Sequence, residues 1–282
     1  MIQNQIAKIQ LKDITLPQRK ANSHKGTHGS VAIIGGADGM VGAGLLAARA
    51  ALLLGAGRTY ANLLAKDAPS VDILHPEIMM RSAQDLENLK QLDCAVIGPG
   101  LSSSPAAKNL LARWLKKAIP LVLDADALNL IAQDKALATR IKERGAPTVI
   151  TPHAGEAARL LAESTESIQR DRNNAALKLA NQFNCIAVLK GADTLISNGS
   201  EVLLNTTGNA GLASGGTGDV LAGMIGSLVA QGLNMLEACK TAVFLHGAAA
   251  NSLVSLGIGP IGLTASEVAI EARRFINQFN QK

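Results

Sequence analysis

The sequence predicts an α/β fold, a doubly wound and mostly parallel sheet covered by helices on both faces, and three observations carry that expectation. Short apolar runs at 30–35, 93–98, 120–124, 148–151 and 185–190 are nearly continuous, as strands buried on both faces are. Segments of helical length and spacing lie between them, at 44–54, 105–117 and 173–182. Such alternation connects through right-handed crossovers. Finally, glycine-rich or polar motifs follow the strands: Gly35-Gly36, Gly98-Pro99-Gly100, Asp124-Ala125-Asp126, Thr151-Pro152-His153 and Lys190-Gly191. The carboxyl edge of an open α/β sheet is where ligands bind, because helix N-termini and free loops converge there.

Beyond Lys190 the texture changes. Residues 194–197 and 201–205 flank Asn198-Gly199, a signal for a two-residue hairpin. A glycine-rich loop follows, then helices over 220–231, 236–255 and 266–279. No repeat or linker divides the chain, so the expected organisation is a basic N-terminal arm, residues 1–28, on a single domain, residues 29–282.

The composition, 48% hydrophobic but only 2% aromatic, excludes base-stacking platforms for single-stranded nucleic acid. Of the net charge of +5, all but one falls in the arm, where Lys8, Lys12, Arg19, Lys20 and Lys25 oppose Asp13. The body is therefore near neutral and offers no DNA-binding face. Two roles for the arm stand open: gripping a phosphate-bearing small molecule, with His24–Gly29 bringing cations to the crevice, or lying exposed against a neighbouring subunit. Cys94, Cys185 and Cys239 are far apart without a CxxC, which argues against structural zinc and a disulfide framework. No signal-peptide or membrane-spanning stretch is present. The expectation is a soluble, cytoplasmic protein with neither a nucleic-acid nor a membrane partner.

The sharpest motif runs from Asn209 through Gly215-Gly216-Thr217-Gly218 to Asp219, directly ahead of an apolar helix. Glycines let backbone N–H groups converge at a helix N-terminus, so Gly215, Gly216, Thr217 and Gly218 are read as an anion hole. Asp219 beside it is placed to take a proton from a hydroxyl attacking a phosphoryl group. Lys190-Gly191-Ala192-Asp193-Thr194 reads as a phosphate-facing loop or as a plain turn with a solvated lysine. His153 and Glu156 read as ligand and Mg²⁺ groups or as a helix start. Asp124 and Asp126 read as organisers of Mg²⁺ or of a ligand hydroxyl, or as caps. His75 and His246 read as structural.

This ordered set of motifs resembles the ADP-dependent NAD(P)H-hydrate dehydratases of the ribokinase-like superfamily, from about His24 to the C-terminal helices. The resemblance implies a metabolite-repair lyase that restores NADH and NADPH from the S epimers of their hydrates (NADHX and NADPHX). Mg²⁺ and ADP are the implied cofactor and co-substrate, ATP being the donor in eukaryotic members. It further implies that Ala43, Gly100, His153 and Asp219 contact the substrate, and that Lys190, Gly191, Ala192, Asp193, Thr194 and Gly218 contact the AMP moiety of the donor. It assigns no metal ligands. Relatives are oligomeric, often tetrameric, and many carry an epimerase domain that 28 residues cannot hold, so a separate NAD(P)H-hydrate epimerase is the expected functional partner. The competing expectation is a ribokinase-like kinase acting on a thiazole or pyrimidine alcohol.

Overall fold

Strand β2 (Ser30–Gly35) is buried along its whole length, and it pairs in parallel with β3 (Arg58–Leu63) on one side and β5 (Cys94–Ile97) on the other. The computed structural model describes residues 6–279, and the first five residues of the predicted arm lie outside the described residues. The remaining strands are β1 (Ala7–Lys8), β4 (Met79–Met80), β6 (Leu121–Leu123), β7 (Thr148–Ile150), β8 (Ile186–Leu189), β9 (Thr194–Ser197) and β10 (Val202–Asn205). They form one sheet in the order β1-β10-β9-β8-β7-β6-β5-β2-β3-β4, parallel except where β9 runs against β8 and β10.

Alternation along each strand divides the core into two layers. Val31, Ile33, Val96, Val122, Val149 and Val188 face one side. There they meet α1 (Val41–Leu53), α9 (Thr217–Ala230), α10 (Met235–Ser255) and α11 (Ala265–Phe279). Ala32, Ile34, Ala95, Ile97, Leu121, Leu123 and Ile150 face the other. That face is covered by α2 (Ala83–Glu87), α3 (Pro105–Trp114), α4 (Asp126–Gln133), α5 (Lys135–Lys142), α6 (Ala154–Leu161), α7 (Thr165–Arg170) and α8 (Arg172–Phe183). The first layer packs backbone to backbone through small residues: a Cβ on Gly223 of α9 would sit against the carbonyl oxygen of Ala47 in α1. A core poor in aromatics is filled in this way, by close approach of Ala- and Gly-rich helices rather than by bulk.

Most helices begin on a side-chain cap. Ser104 accepts from Ala107 N with Pro105 behind it, Asp134 accepts from Ala136 N, and Asn234 accepts from Glu237 N. Helix α9 is different: its N-cap is Gly216 at φ +88°, and no side chain caps it. The N–H groups of Gly218 and Asp219 in its first turn are therefore left for something else.

Two expectations are corrected. The β9–β10 hairpin turns through four residues, 198–201, since Ser197 pairs with Val202; the Asn198 side chain draws the loop in by accepting from Ser200 N and Glu201 N. The turn at 24–29 does not carry its cations to the crevice. Strand β1 pairs with β10, and Thr15 is bonded to Thr241 and Glu237 of α10. Arg19 donates to Gly55 O, and the turn Lys25–His28 lies at the amino end of β3, opposite the ligand edge. Alternation also hid β3, whose sequence RTYANL carries polar residues that the sheet buries, Thr59 and Asn62 among them.

Candidate active site

The tips of β2, β5 and β6 come close together only because glycine stands at each crossing. A Cβ on Gly35 would collide with Pro99 O, and Gly98 (φ +131°) lies against Asp124 O. Gly36 N and Ala37 N then donate to Pro99 O and Gly100 O at 2.9 and 2.7 Å. Gly100 (φ +58°) is brought against Ala43 at the start of α1, so these two predicted substrate contacts do meet.

At the next tips, Asp124 is buried to 1% exposure, and its Oδ1 accepts from Thr151 Oγ1 at 2.7 Å and from Lys190 Nζ at 2.6 Å. Glu156 Oε2 lies 4.0 Å from the same ammonium. Burial disfavours the charged lysine, but Asp124, Glu156 and Asp219 more than offset this and hold its pKa above the ordinary value. Ala125 then turns the chain at φ 49°, ψ −117°, a strained conformation for a residue with a Cβ. Asp126 follows, accepting from Ser102 N at 2.9 Å, so it ties the β5 loop to α4. His153 and Glu156 form a reciprocal cap on α6: His153 Nδ1 accepts from Gly155 N, and Glu156 Oε2 accepts from His153 N. The His153 ring remains exposed to the crevice edge.

The glycine loop spends its carbonyls internally. Ser214 Oγ donates to Gly211 O, and Thr217 Oγ1 donates to Leu212 O and Ser214 O. Asp219 sits in the first turn of α9, and burial together with Asp124, Asp126 and Glu156 pushes it up to about 7, against the pull of Lys190. His246, expected to be structural, holds the loop through one backbone contact. His246 of α10 is buried and lies against the loop, its Nε2 3.0 Å from Thr217 O. Burial pushes it down to about 4, so the ring is neutral near pH 7 and its Nε2–H donates to that carbonyl. No spacing signal marks a histidine that reaches its partner across two helices.

A cleft of about 510 Å³ opens between these elements. All six residues predicted for the nucleotide, Lys190 to Thr194 and Gly218, line it, together with residues 205–210, Val243, His246 and Gly247. Thr217 lines it too, whereas Gly215 and Gly216 stand outside its wall. Ala43, Gly100, His153 and Asp219 fall outside this cleft, on the β2–β7 side, and Asp219 borders it through Gly218. Among the described residues no group of three or more His, Cys, Asp or Glu side chains forms a ready-made metal cage. Three carboxylates, Asp124, Glu156 and Asp219, nonetheless bear on one ammonium, a surplus of negative charge that suits a Mg²⁺ carried in on phosphate oxygens and waters.

The profile of the NAD(P)H-hydrate dehydratase family (Carb_kinase) matches residues 31–266. An ADP-dependent (S)-NAD(P)H-hydrate dehydratase from Neisseria meningitidis serogroup B is 43% identical over 269 residues, covering 93% of this chain and 90% of that one. A bifunctional NAD(P)H-hydrate repair enzyme Nnr from Coxiella burnetii is 40% identical over 93% of this chain, and here the chain spans about half the relative's length, 53%. The crystal structure of the ADP/ATP-dependent NAD(P)H-hydrate dehydratase from Bacillus subtilis, co-crystallised with ATP/Mg²⁺, superposes with a TM-score of 0.85 at 30% identity, covering 98% of this chain and 99% of that one. This chain belongs to the NAD(P)H-hydrate dehydratase family of ribokinase-like proteins.

Proposed function

We propose that the chain dehydrates the S epimer of hydrated NADH or NADPH at the expense of ADP, with Asp219 as the general base. The observation that carries this is Asp219 itself. A carboxyl poised at about 7 stands at the uncapped start of α9, between the nucleotide cleft and the Ala43–Gly100 ledge. A base tuned to the working pH gains both a useful ionised fraction and a useful basicity.

In the proposed sequence the substrate hydroxyl attacks the terminal phosphorus of ADP. An O–P bond forms to the substrate, the bond to the AMP oxygen breaks, and the hydroxyl proton passes to Asp219. Phosphate then departs with the C–O electron pair as the ring nitrogen's lone pair pushes in, and loss of the neighbouring proton restores the dihydropyridine. Gly215 to Gly218 supply backbone N–H groups to the transferring oxygens, and Lys190 offsets their charge. Lys190 to Thr194 and Gly218 hold the AMP moiety; Ala43, Gly100 and His153 hold the hydrate. Mg²⁺, when bound, neutralises phosphate charge, and Asp124 and Glu156 are the carboxylates nearest to receive it through water.

We propose too that the chain assembles as a homo-oligomer, a tetramer, and that a separate epimerase supplies its S epimer. Ile73, Leu74 and Ile261 are exposed at 87%, 66% and 96%, which supports an assembly surface. Among the described residues no helix is long and apolar enough to cross a membrane. A cytoplasmic site agrees with the buried thiols of Cys94 and Cys239. The test follows recovery of reduced-nicotinamide absorbance from hydrated NADH with Mg²⁺ and ADP or ATP. Recovery with phosphate release is expected. No recovery, but phosphorylation of another alcohol, would move the chain to the kinases.

A further inference from the structure

Arg172 is the first residue of α8 and lies outside the cleft lining. A cation there opposes the helix dipole, so helix stability does not explain it. Its guanidinium reaches instead to the loop joining β8 and β9. Nη2 donates to Leu189 O at 3.2 Å and to Asp193 O at 3.4 Å, bridging the two ends of residues 190–193. The group lies close against Gly191: a Cβ added there would be 2.9 Å from Nη1 and 3.3 Å from Cζ. Gly191 (φ +148°) and Asp193 (φ +56°) both hold backbone conformations that side chains disfavour, so the loop needs external support.

Thr194 Oγ1 donates to Gly191 O at 3.0 Å, and Lys190 N donates to Pro152 O at 2.8 Å. With Arg172 in place, the carbonyls of Leu189, Gly191 and Asp193 are occupied by protein donors. The N–H groups of Gly191, Ala192 and Asp193 have no acceptor among the described residues. Three consecutive free N–H donors polarise the loop for oxygen-rich anions.

We infer that Arg172 is a positioning residue for the nucleotide donor: from behind the cleft it fixes the 190–194 loop with its backbone N–H groups available to the donor's oxygens. The inference rests on the reading of this loop as the donor site. Arg172 touches neither substrate, so its loss acts on donor affinity and spares the hydrate.

The experiment measures ADP binding to the full chain by calorimetry, steady-state kinetics and thermal melting for Arg172→Met, Arg172→Lys and Gly191→Ala. Arg172→Met is expected to raise the Kd and KM for ADP about tenfold or more, the scale of lost charged hydrogen bonds, while kcat at saturating ADP and the KM for the hydrate stay as they were. Arg172→Lys restores little, since its ammonium ends one bond short of the place from which Nη2 reaches both carbonyls. It carries the test should the Met variant fail to fold, and an unchanged ADP Kd would then overturn the inference. An unchanged ADP Kd in a folded Arg172→Met, or equal losses for ADP and hydrate, would do the same. Gly191→Ala separates the two levels. If it weakens ADP binding and Arg172→Met does not, the loop is the donor site and Arg172 does not position it. If neither variant affects ADP, the donor-site reading falls as well.

Discussion

Replacing Asp219 by Asn should move activity and stability in opposite directions. Burial and the neighbouring Asp124, Asp126 and Glu156 raise this carboxyl from 3.8 to about 7. Because the folded state holds the proton more tightly than the unfolded chain, the associated stability is complete below 3.8 and is lost as pH rises through 7. The shift corresponds to at most about 4 kcal/mol at full ionisation, and partial exposure of the group reduces it to roughly half. Asn is never charged, so Asp219→Asn should melt several degrees above the parent at pH 8 and together with it at pH 4. Turnover should meanwhile fall at least ~10²-fold, the scale of losing a general base. In the parent, kcat/KM should rise between pH 6 and 8 with a midpoint near 7. Differential scanning fluorimetry across pH and the absorbance assay measure both arms. A variant that melts at or below the parent at pH 8, or turns over at a near-parental rate, would refute the account of a strained, charged base.

Three further outcomes follow from the same geometry. Gly218→Val should weaken ADP binding in calorimetry, since even a Cβ there lies 3.2 Å from Lys190 Nζ and a branched side chain displaces the ammonium; unchanged affinity would remove Gly218 from the site. Lys190→Met leaves Asp124 buried with Thr151 alone and should cost about 3 kcal/mol in urea unfolding, much of it recovered by adding Asp124→Asn. Deleting residues 1–22 removes β1 and the Thr15 and Arg19 ties, so the melting temperature should fall while the KM for ADP holds. Lost ADP affinity at an unchanged melting temperature would return the arm to catalysis.

What was legible in the chain and what was not divides along a physical line. Strands 30–35, 93–98 and 120–124 announced themselves because burial on both faces demands uninterrupted apolar runs, and these observed strands lie within one or two residues of the expected bounds. β3 did not, because Thr59 and Asn62 interrupt its apolar pattern, and the partner that satisfies Asn62, Arg81 O, lies outside any local window. The NG hairpin was read with too short a turn, since strand register follows pairing partners rather than the turn dipeptide alone.

At the site, local pattern was enough to locate the parts: the glycine loop ahead of α9, Asp219 in its first turn, and the motifs that end the parallel strands. Backbone demands such as positive φ and close approach leave glycine in the sequence, and local pattern suffices to see them. Only the tertiary structure decided which groups act on one another. Lys190 lies 66 positions from the Asp124 that holds it, His246 supports Thr217 from another helix, and Arg172 braces a loop it precedes by a whole helix and strand. The raised Asp219 and the fastened arm belong to the same class. Electrostatic coupling and hydrogen bonding fall off within a few ångströms, and those few ångströms exist only once the sheet has brought distant strand tips to one edge.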